Sequence, residues 1–160
     1  MVGKLVRRRA IGLPGILINR LIRIPEPLAN NRCVAFDEET GRKIEEGLAA
    51  LDDALATAAV SGEKGWNAEI HRLRGELTGR LLHPDPAKAE DSFRTALAIA
   101  PEQGTRGYEL RAATSLARLW REQGRRTEAR DLLAPLYGWF TEGFGTADLK
   151  EARALLDELA

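Results

Sequence analysis

Residues 89–101 read AEDSFRTALAIAP, and this segment indicates the fold of the whole chain. Its apolar side chains recur at intervals of three and four residues, with Ala89, Phe93 and Ala96 on one line. That spacing is the signature of one face of an amphipathic α-helix, and Pro101 marks its end. The segment therefore predicts a helix that buries a small, a large and a small side chain in turn.

The same periodicity predicts helices on both sides of this segment. The six predicted helices run from Ile44 to Ala58, Trp66 to Leu81, Pro86 to Ile99, Tyr108 to Gln123, Thr127 to Phe140 and Leu149 to Leu159. Asp85 is the expected N-cap of the third helix, and Gly124 the expected C-terminal cap of the fourth. Pro135 should kink the fifth.

Three of these helices repeat one pattern, a small residue followed by a large apolar residue four positions later and a small or apolar one three positions after that. The repeated positions are Gly47, Leu51 and Ala54, then Ala89, Phe93 and Ala96, then Ala129, Leu133 and Leu136. The leading positions are 42 and 40 residues apart. A period of about forty residues is typical of two-helix repeat units and predicts an α-solenoid.

The pattern of Gly75, Phe93, Ala96 and Pro101 resembles that of the tetratricopeptide repeat, with a longer turn between its two helices. The resemblance implies an all-α fold of tetratricopeptide-like hairpins, stacked as a short right-handed α-solenoid with a C-terminal capping helix. Small side chains allow the paired helices to approach closely, and the aromatic ring fills the remaining gap.

A more specific resemblance involves AEIHRLRGEL at 68–77 and LYGWFTEGFGTADLKEARALLDEL at 136–159. These segments are similar to the C-terminal tail of large bacterial regulators, which are predicted ATPases, some with a class III adenylate or guanylate cyclase head and others with a winged-helix DNA-binding head. The resemblance covers roughly residues 44–160. It implies that any ATPase or cyclase activity belongs to domains outside this tail, so no residue here inherits a catalytic role.

The overall charge is zero, with 24 basic and 24 acidic side chains, which gives no field that would attract nucleic acid. Cys33 is the only cysteine, so neither an intramolecular disulfide nor a thiolate metal cage can form. These features favour a cytoplasmic protein that does not bind nucleic acid.

The first 36 residues differ from the rest, because they carry seven basic side chains and one acidic side chain, a net charge of +6. We expect residues 1–40 to form a basic, poorly ordered arm and residues 41–160 to form the repeat domain. Pro14 and Gly15 interrupt the apolar run of the arm, which argues against a signal peptide or a membrane span.

A short amphipathic helix is predicted within the arm at 14–24. The prolines and asparagines at 25–31 prevent a helix immediately before Ile44, so the first hairpin should lack a partner and expose Leu48, Leu51 and Leu55. The predicted helix at 14–24 could cover this strip, could lie loosely in solvent or, less favoured, could attach to an anionic membrane surface.

No catalytic, cofactor-binding or metal-binding residues are predicted. The sequences GEKG at 62–65 and GFG at 143–145 follow helices, and neither has the form of a phosphate-binding loop. His71 and His83 lack the spacing of a zinc site, and Cys33 has no neighbouring histidine that would activate its thiol.

The remaining candidate side chains favour structural roles. The adjacent pairs Glu45–Glu46 and Asp52–Asp53 point in different directions around a helix, so they indicate solvated faces and not acid–base dyads. The apolar pattern places Trp66, Trp120 and Trp139 in the core, in preference to a binding platform.

Two functions remain open from the sequence. The first is a non-catalytic interaction module, either a stand-alone or a truncated tail of a bacterial signalling or transcription regulator, that binds a protein or peptide on its concave surface. The second is a regulatory fragment that acts on a separate ATPase or nucleotide cyclase and is inactive alone. Neither requires a cofactor.

Overall fold

The described part of the chain, residues 38–160 of a computed structural model, is built from α-helices joined by short turns. The six helices of this part are α1 (Glu38–Ser61), α2 (Asn67–Thr78), α3 (Pro86–Glu102), α4 (Arg106–Glu122), α5 (Arg126–Gly138) and α6 (Ala147–Leu159). No strand occurs among these residues. The predicted all-helical class is therefore confirmed for residues 38–160.

Most of the predicted N-terminal arm lies outside the described residues, together with Cys33 and the helix predicted at 14–24. The alternatives for that segment therefore remain predictions.

The first helix begins at Glu38, six residues before the predicted start at Ile44. Glu38 and Glu39 lie in its first turn, where the positive end of the helix dipole favours carboxylates. Ion pairs between Glu39 and Lys43 and between Arg42 and Glu46 are each four residues apart and support this turn.

Both predicted caps are confirmed. The Asp85 side chain accepts a hydrogen bond from the backbone N–H of Lys88 at 3.0 Å and so caps α3. After α4, Gly124 has a φ of +79°, and the N–H of Arg125 donates to the carbonyl of Trp120 at 2.8 Å. This left-handed glycine satisfies carbonyl groups that the end of the helix would otherwise leave free.

The prediction that the second helix extends to Leu81 is wrong, because α2 ends at Thr78. The N–H of Gly79 still bonds to the carbonyl of Gly75, but the N–H of Arg80 reaches only three residues back, to Leu77. The chain thus leaves the helix through a tightened turn, and the apolar residues Leu81 and Leu82 belong to the connection to α3. The fifth helix continues through Pro135 but ends at Gly138, two residues before its predicted end at Phe140.

The main core joins α3, α4, α5 and α6. Its largest fully buried side chains include Leu110, Leu116 and Leu133, and Phe93 is also buried in it. A smaller cluster joins Leu51 of α1 to Ile70 and Leu73 of α2. Burial of this apolar surface is the principal source of stability for helices of this length.

The smaller cluster corrects a second expectation, that Leu48, Leu51 and Leu55 form an exposed strip. Leu51 is only 1% exposed, and Leu48 and Leu55 are half-buried. The strip is covered on one side because α2 folds back against α1, so that Ile70 and Leu73 pack on Leu51. The cover comes from the helix that follows α1, and not from a helix that precedes it.

The last helix packs on α4 and α5, as the amphipathic pattern of residues 149–159 predicts. Leu149, Ala152, Leu155 and Leu159 are buried in the main core. Leu136, Tyr137 and Phe140 of the preceding segment pack against that core and are partly buried. The final helix therefore covers apolar surface that α5 would otherwise present to solvent.

Among residues 38–160, no helix is both long enough and apolar enough to cross a membrane.

Candidate functional site

The side chains that could suggest catalysis in the sequence do not converge in the structure. His71 lies half-buried on α2, and His83 is exposed in the connection to α3. Glu45 is exposed, Glu46 pairs with Arg42, and Asp52 pairs with Arg74 at 3.2 Å. Within the described segment, no group of three or more histidine, cysteine or carboxylate side chains is arranged to hold a metal ion.

The structure instead brings α2, α4 and α6 together around a surface groove with a volume of about 340 Å³. The groove is lined mainly by charged side chains of both signs and by two hydroxyl groups. These are Glu69, Arg72, Glu76, Arg80, Arg111, Thr114, Ser115, Arg118, Asp148 and Glu151. We call this set the charged groove.

Its most buried member is Glu69, whose side chain is 2% exposed. Arg72 donates two hydrogen bonds to this carboxylate, from Nε to Oε2 at 3.0 Å and from Nη2 to Oε1 at 2.8 Å. Burial lowers the pKa of Arg72, but the hydrogen bond with Glu69 and the surrounding carboxylates outweigh burial and raise that pKa above its usual value. A two-point contact of this kind fixes both side chains in one geometry.

Arg111 of α4 connects the other two helices. Its Nε donates to Oδ2 of Asp148 on α6 at 2.8 Å, and its Nη1 lies 3.4 Å from Oε1 of Glu69 on α2. Burial lowers the pKa of Arg111. The hydrogen bond with Asp148 and the negative charge of Glu69 raise it by more, so the pKa of Arg111 lies above its usual value. One guanidinium therefore ties three helices together across the groove.

Glu76 connects α2 to α4 within the charged groove. Oε1 of Glu76 accepts a hydrogen bond from the Ser115 hydroxyl at 2.6 Å, and Oε2 lies 3.5 Å from Nη2 of Arg80. Next to Glu76 lies a second depression with a volume of about 350 Å³, which is lined by Gly75 and Phe93. Arg80, Ser115 and Glu151 line both parts, which therefore form one continuous surface.

The rim of the groove is more open. Arg118 and Glu151 form an ion pair of 3.0 Å in which their side chains are 40% and 57% exposed. Exposed pairs contribute little stability, since solvent screens them and fixing both side chains is entropically unfavourable. These two side chains can therefore change partners readily.

The charged side chains of the groove are paired with one another. Each carboxylate in the groove already faces at least one arginine. No hydroxyl group there is paired with a histidine that could act as its base, because His71 and His83 are not among the lining residues.

None of the groove residues has a functional role predicted from the sequence, although the sequence contains a signal for their arrangement. An acidic residue directly precedes a buried aliphatic residue in α2, α4 and α6, as Glu69–Ile70, Glu109–Leu110 and Asp148–Leu149, and the first and last of these acidic residues line the groove. Successive acidic positions are 40 and 39 residues apart. The repeated pattern of small and large apolar residues lies on α1, α3 and α5, whereas this second register lies on α2, α4 and α6.

The placement of two tryptophans in the core is wrong. Trp120 is 7% exposed, as predicted, but Trp66 is 41% and Trp139 is 58% exposed. Trp66 precedes α2 and lies against the ring of Tyr108, with ring centres 6.0 Å apart. Trp139 follows α5, and the guanidinium of Arg106 lies 5.2 Å from its ring centre. Both occupy helix ends, where the apolar stripe no longer determines burial.

Comparisons with known proteins return no similarity: the chain matches no family model, no curated protein and no solved structure.

Removing Arg72 should weaken the fold, since Glu69 would lose its two-point partner while remaining buried. We expect Arg72→Met to lower the free energy of unfolding by about 1–3 kcal/mol. The loss is limited because Arg111 still partly neutralises the buried charge of Glu69. Urea denaturation measures this change. Arg130→Met, at an exposed position of α5, is the matched control and should have little effect. A loss no greater than in the control would show that the Glu69 contact is not formed.

Stability should fall in mild acid because of His71. Burial, helped by the charge of Arg74 and opposed by that of Asp52, lowers the pKa of His71 below its ordinary value of 6.5. The unfolded chain therefore takes up a proton before the folded chain does as the pH falls. The stabilisation from neutral His71 is complete above pH 6.5 and is lost as the pH drops below it.

The variant His71→Gln should flatten this dependence between about pH 7 and 5. Thermal unfolding followed at several pH values measures it, and His83→Gln, at an exposed site, serves as the control. An identical pH dependence in wild type and His71→Gln would refute the assignment.

Proposed function

We propose that this chain is a non-catalytic helical-repeat module that binds a segment of a partner protein in the charged groove. The observation that carries the proposal is the convergence of α2, α4 and α6 on one open surface with charged side chains of both signs. Such a surface has the chemistry of a peptide site, which needs donors and acceptors at several points along a groove.

We further propose that the helices are tetratricopeptide-like hairpins stacked as a short right-handed α-solenoid, with α6 as its cap. Two features support this arrangement. Phe93 of α3 packs directly on Gly75 of α2, and α4 contacts its neighbours α3 and α5 as well as α2 and α6. The alternating helices α2, α4 and α6 then form one surface, as stacked two-helix repeats require.

The groove favours a peptide that carries both acidic and basic side chains. Its lining contains four arginines and four carboxylates, so its charge is balanced. A uniformly charged ligand would attract one set and repel the other. A peptide of mixed charge can instead exchange bonds with the rim pair Arg118 and Glu151, whose side chains are partly exposed.

Selection of peptides from a random displayed library on the full-length chain tests this function. Selected peptides of mixed charge should bind with micromolar dissociation constants. Arg118→Glu, which reverses one rim charge, should weaken binding at least about tenfold, equivalent to 1.4 kcal/mol. Arg130→Glu on α5 is the control and should bind as wild type does. Equal binding by all three proteins, or no selection above background, would overturn the proposal.

The resemblance of residues 136–159 to the tails of bacterial regulators suggests the kind of partner. We propose that the segment bound belongs to a cytoplasmic signalling or transcription regulator, with the ATPase or cyclase part of such a protein as the second candidate. Adding this chain to a purified ATPase or cyclase of that class, and measuring its turnover with wild type and Arg118→Glu, separates the two candidates. A change in turnover that Arg118→Glu abolishes supports the regulatory fragment.

The isolated chain should bind no nucleotide. The turns at 62–65 and 143–145 connect helices, and neither follows a strand in the described chain as a phosphate-binding loop does. Calorimetric titration with ATP and Mg²⁺ should give only heat of dilution. A micromolar dissociation constant for ATP would contradict the non-catalytic assignment.

A further inference from the structure

Two aromatic side chains continue the charged groove at the end where α2 and α4 begin. Trp66 lies three positions before Glu69, and the N–H of Ile70 bonds to the carbonyl of Trp66, so Trp66 already follows the path of α2. Tyr108 lies three positions before Arg111 on α4. Because residues three apart are neighbours on a helix surface, the two rings are the next step along the groove after the contact between Glu69 and Arg111.

The aromatic pair is in contact with the groove. The guanidinium of Arg111 lies 5.8 Å from the ring centre of Tyr108 and donates a hydrogen bond to Asp148. Burial raises the pKa of Tyr108, and the negative charge of Glu69 raises it further, against the opposing charge of Arg111. The phenol is therefore neutral near pH 7, and its ring lies beside the charges at the inner end of the groove.

Trp66 exposes apolar surface at this end. It is 41% exposed, and its ring centre lies 6.0 Å from that of the half-buried Tyr108, with the two ring planes inclined by 41°. Tryptophan and tyrosine are enriched in protein interfaces, where an apolar centre is surrounded by polar groups. An exposed ring that borders a polar groove has the chemistry of such a centre.

The other exposed tryptophan has a different environment. Trp139 is 58% exposed, but the guanidinium of Arg106 lies 5.2 Å from its ring centre and the ring of Phe140 packs edge-on against it. Trp139 follows α5, and no residue of α5 lines the groove. Of the two tryptophans, only Trp66 combines exposure with a place at the end of the groove.

The charges around the pair favour an uncharged ligand group. The nearest carboxylates, Glu69 and Asp148, are already bonded to arginines, and Tyr108 already faces the guanidinium of Arg111. A cationic side chain would therefore compete with Arg111, and an anionic one would lie against the negative faces of the rings. An aromatic side chain meets neither obstacle and can join the pair in the offset or edge-on geometry that rings prefer.

We propose that Trp66 and Tyr108 form a subsite for an aromatic side chain of the peptide that binds in the charged groove. This inference rests on the proposed function and adds a specificity-determining contact to it. The subsite gives the groove an apolar anchor at one end, whereas the exposed ion pair of Arg118 and Glu151 lies farther along the groove.

The positions of the two ends set the spacing of the peptide. Tyr108 and Arg118 are ten residues apart on α4, which corresponds to about 15 Å along the helix. An extended peptide covers this distance in about four or five residues. The bound peptide should therefore carry its aromatic residue about four or five positions from the acidic residue that pairs with Arg118.

Selection of displayed peptides on the wild type and on Trp66→Ala tests the subsite. Peptides selected on the wild type should share the aromatic residue at this spacing, and those selected on Trp66→Ala should lack it. Trp66→Ala should weaken the best wild-type peptide about five- to tenfold, whereas Trp66→Phe, which keeps a ring, should weaken it less than about threefold. Trp139→Ala is the matched control and should bind as the wild type does. Circular dichroism checks that each variant is folded.

A double-mutant cycle shows whether the two aromatic groups touch. Replacing the aromatic residue of the peptide by alanine should weaken binding to the wild type about five- to tenfold and have little further effect on Trp66→Ala, because the contact is already lost. Equal losses in the two proteins contradict the subsite. If Arg118→Glu weakens binding and Trp66→Ala does not, the subsite is wrong and the proposed function stands. If no peptide is selected, both are wrong.

Tryptophan fluorescence tests the same contact without altering Trp66. In Trp139→Phe the remaining tryptophans are Trp66 and the buried Trp120, so Trp66 is the one that a ligand can cover. Binding of the selected peptide should shift the emission maximum to shorter wavelength as the ring leaves water. An unchanged spectrum at saturating peptide would overturn the proposal.

Discussion

Gly75→Leu should lower the free energy of unfolding by at least about 3 kcal/mol, the upper end of the usual cost of overpacking. Even a bare Cβ at this position would lie 2.6–2.9 Å from three ring atoms of Phe93. Phe93 is itself buried in the main core, so its ring cannot move aside without displacing its neighbours. Urea denaturation followed by far-ultraviolet circular dichroism measures the change.

A second glycine in a helix provides the control. Gly107 lies in the first turn of α4, and a Cβ built there meets nothing within 4 Å. Gly107→Ala should therefore leave stability unchanged or raise it by up to about 1 kcal/mol through the better helix propensity of alanine. If Gly75→Leu lowers the free energy of unfolding no more than Gly107→Ala does, then α2 and α3 do not approach each other closely at Gly75.

Leu155→Asp should lower the free energy of unfolding by at least about 4 kcal/mol, because it removes a buried leucine and introduces an unpaired charge. Leu155 is 3% exposed within the main core, between α6 and its neighbours α4 and α5. Thermal and urea denaturation measure this effect. The conservative change Leu155→Met should cost less than about 1.5 kcal/mol.

The matched control introduces the same charge at an exposed site. Ala134→Asp, on the outer side of α5, should change stability by no more than about 0.5 kcal/mol. An unchanged melting temperature for Leu155→Asp would show that α6 is not docked on the main core.

Much of the fold follows from the sequence, because helices with a regular apolar stripe bury that stripe. Phe93 and Leu133 are buried at the large positions of the repeated pattern, and the cap at Asp85 forms as expected. The errors lie where local pattern does not decide the outcome. Leu81 continues the apolar stripe of α2 but lies beyond its last turn, and Trp66 and Trp139 lie at helix ends.

The charged groove was harder to predict, for a physical reason. Its side chains come from three helices, with Glu69 and Glu151 82 positions apart in the chain. Arg111 reaches both Glu69 and Asp148 only after those helices pack. Polar residues such as Glu69 also lie on faces that the apolar pattern leaves unassigned. Burial of Glu69 depends on the arginines that accompany it, which only the packed structure shows.

The central claim is that the charged groove binds a peptide, and nuclear magnetic resonance tests it most directly. A peptide of mixed charge, selected on the full-length chain, is titrated into the ¹⁵N-labelled protein, and the amide shifts are mapped onto the helices. The account predicts that the largest shifts fall on α2, α4 and α6, around Arg72, Ser115, Arg118 and Glu151, and that Arg118→Glu reduces them. Shifts confined to the outer sides of α3 and α5 would contradict it.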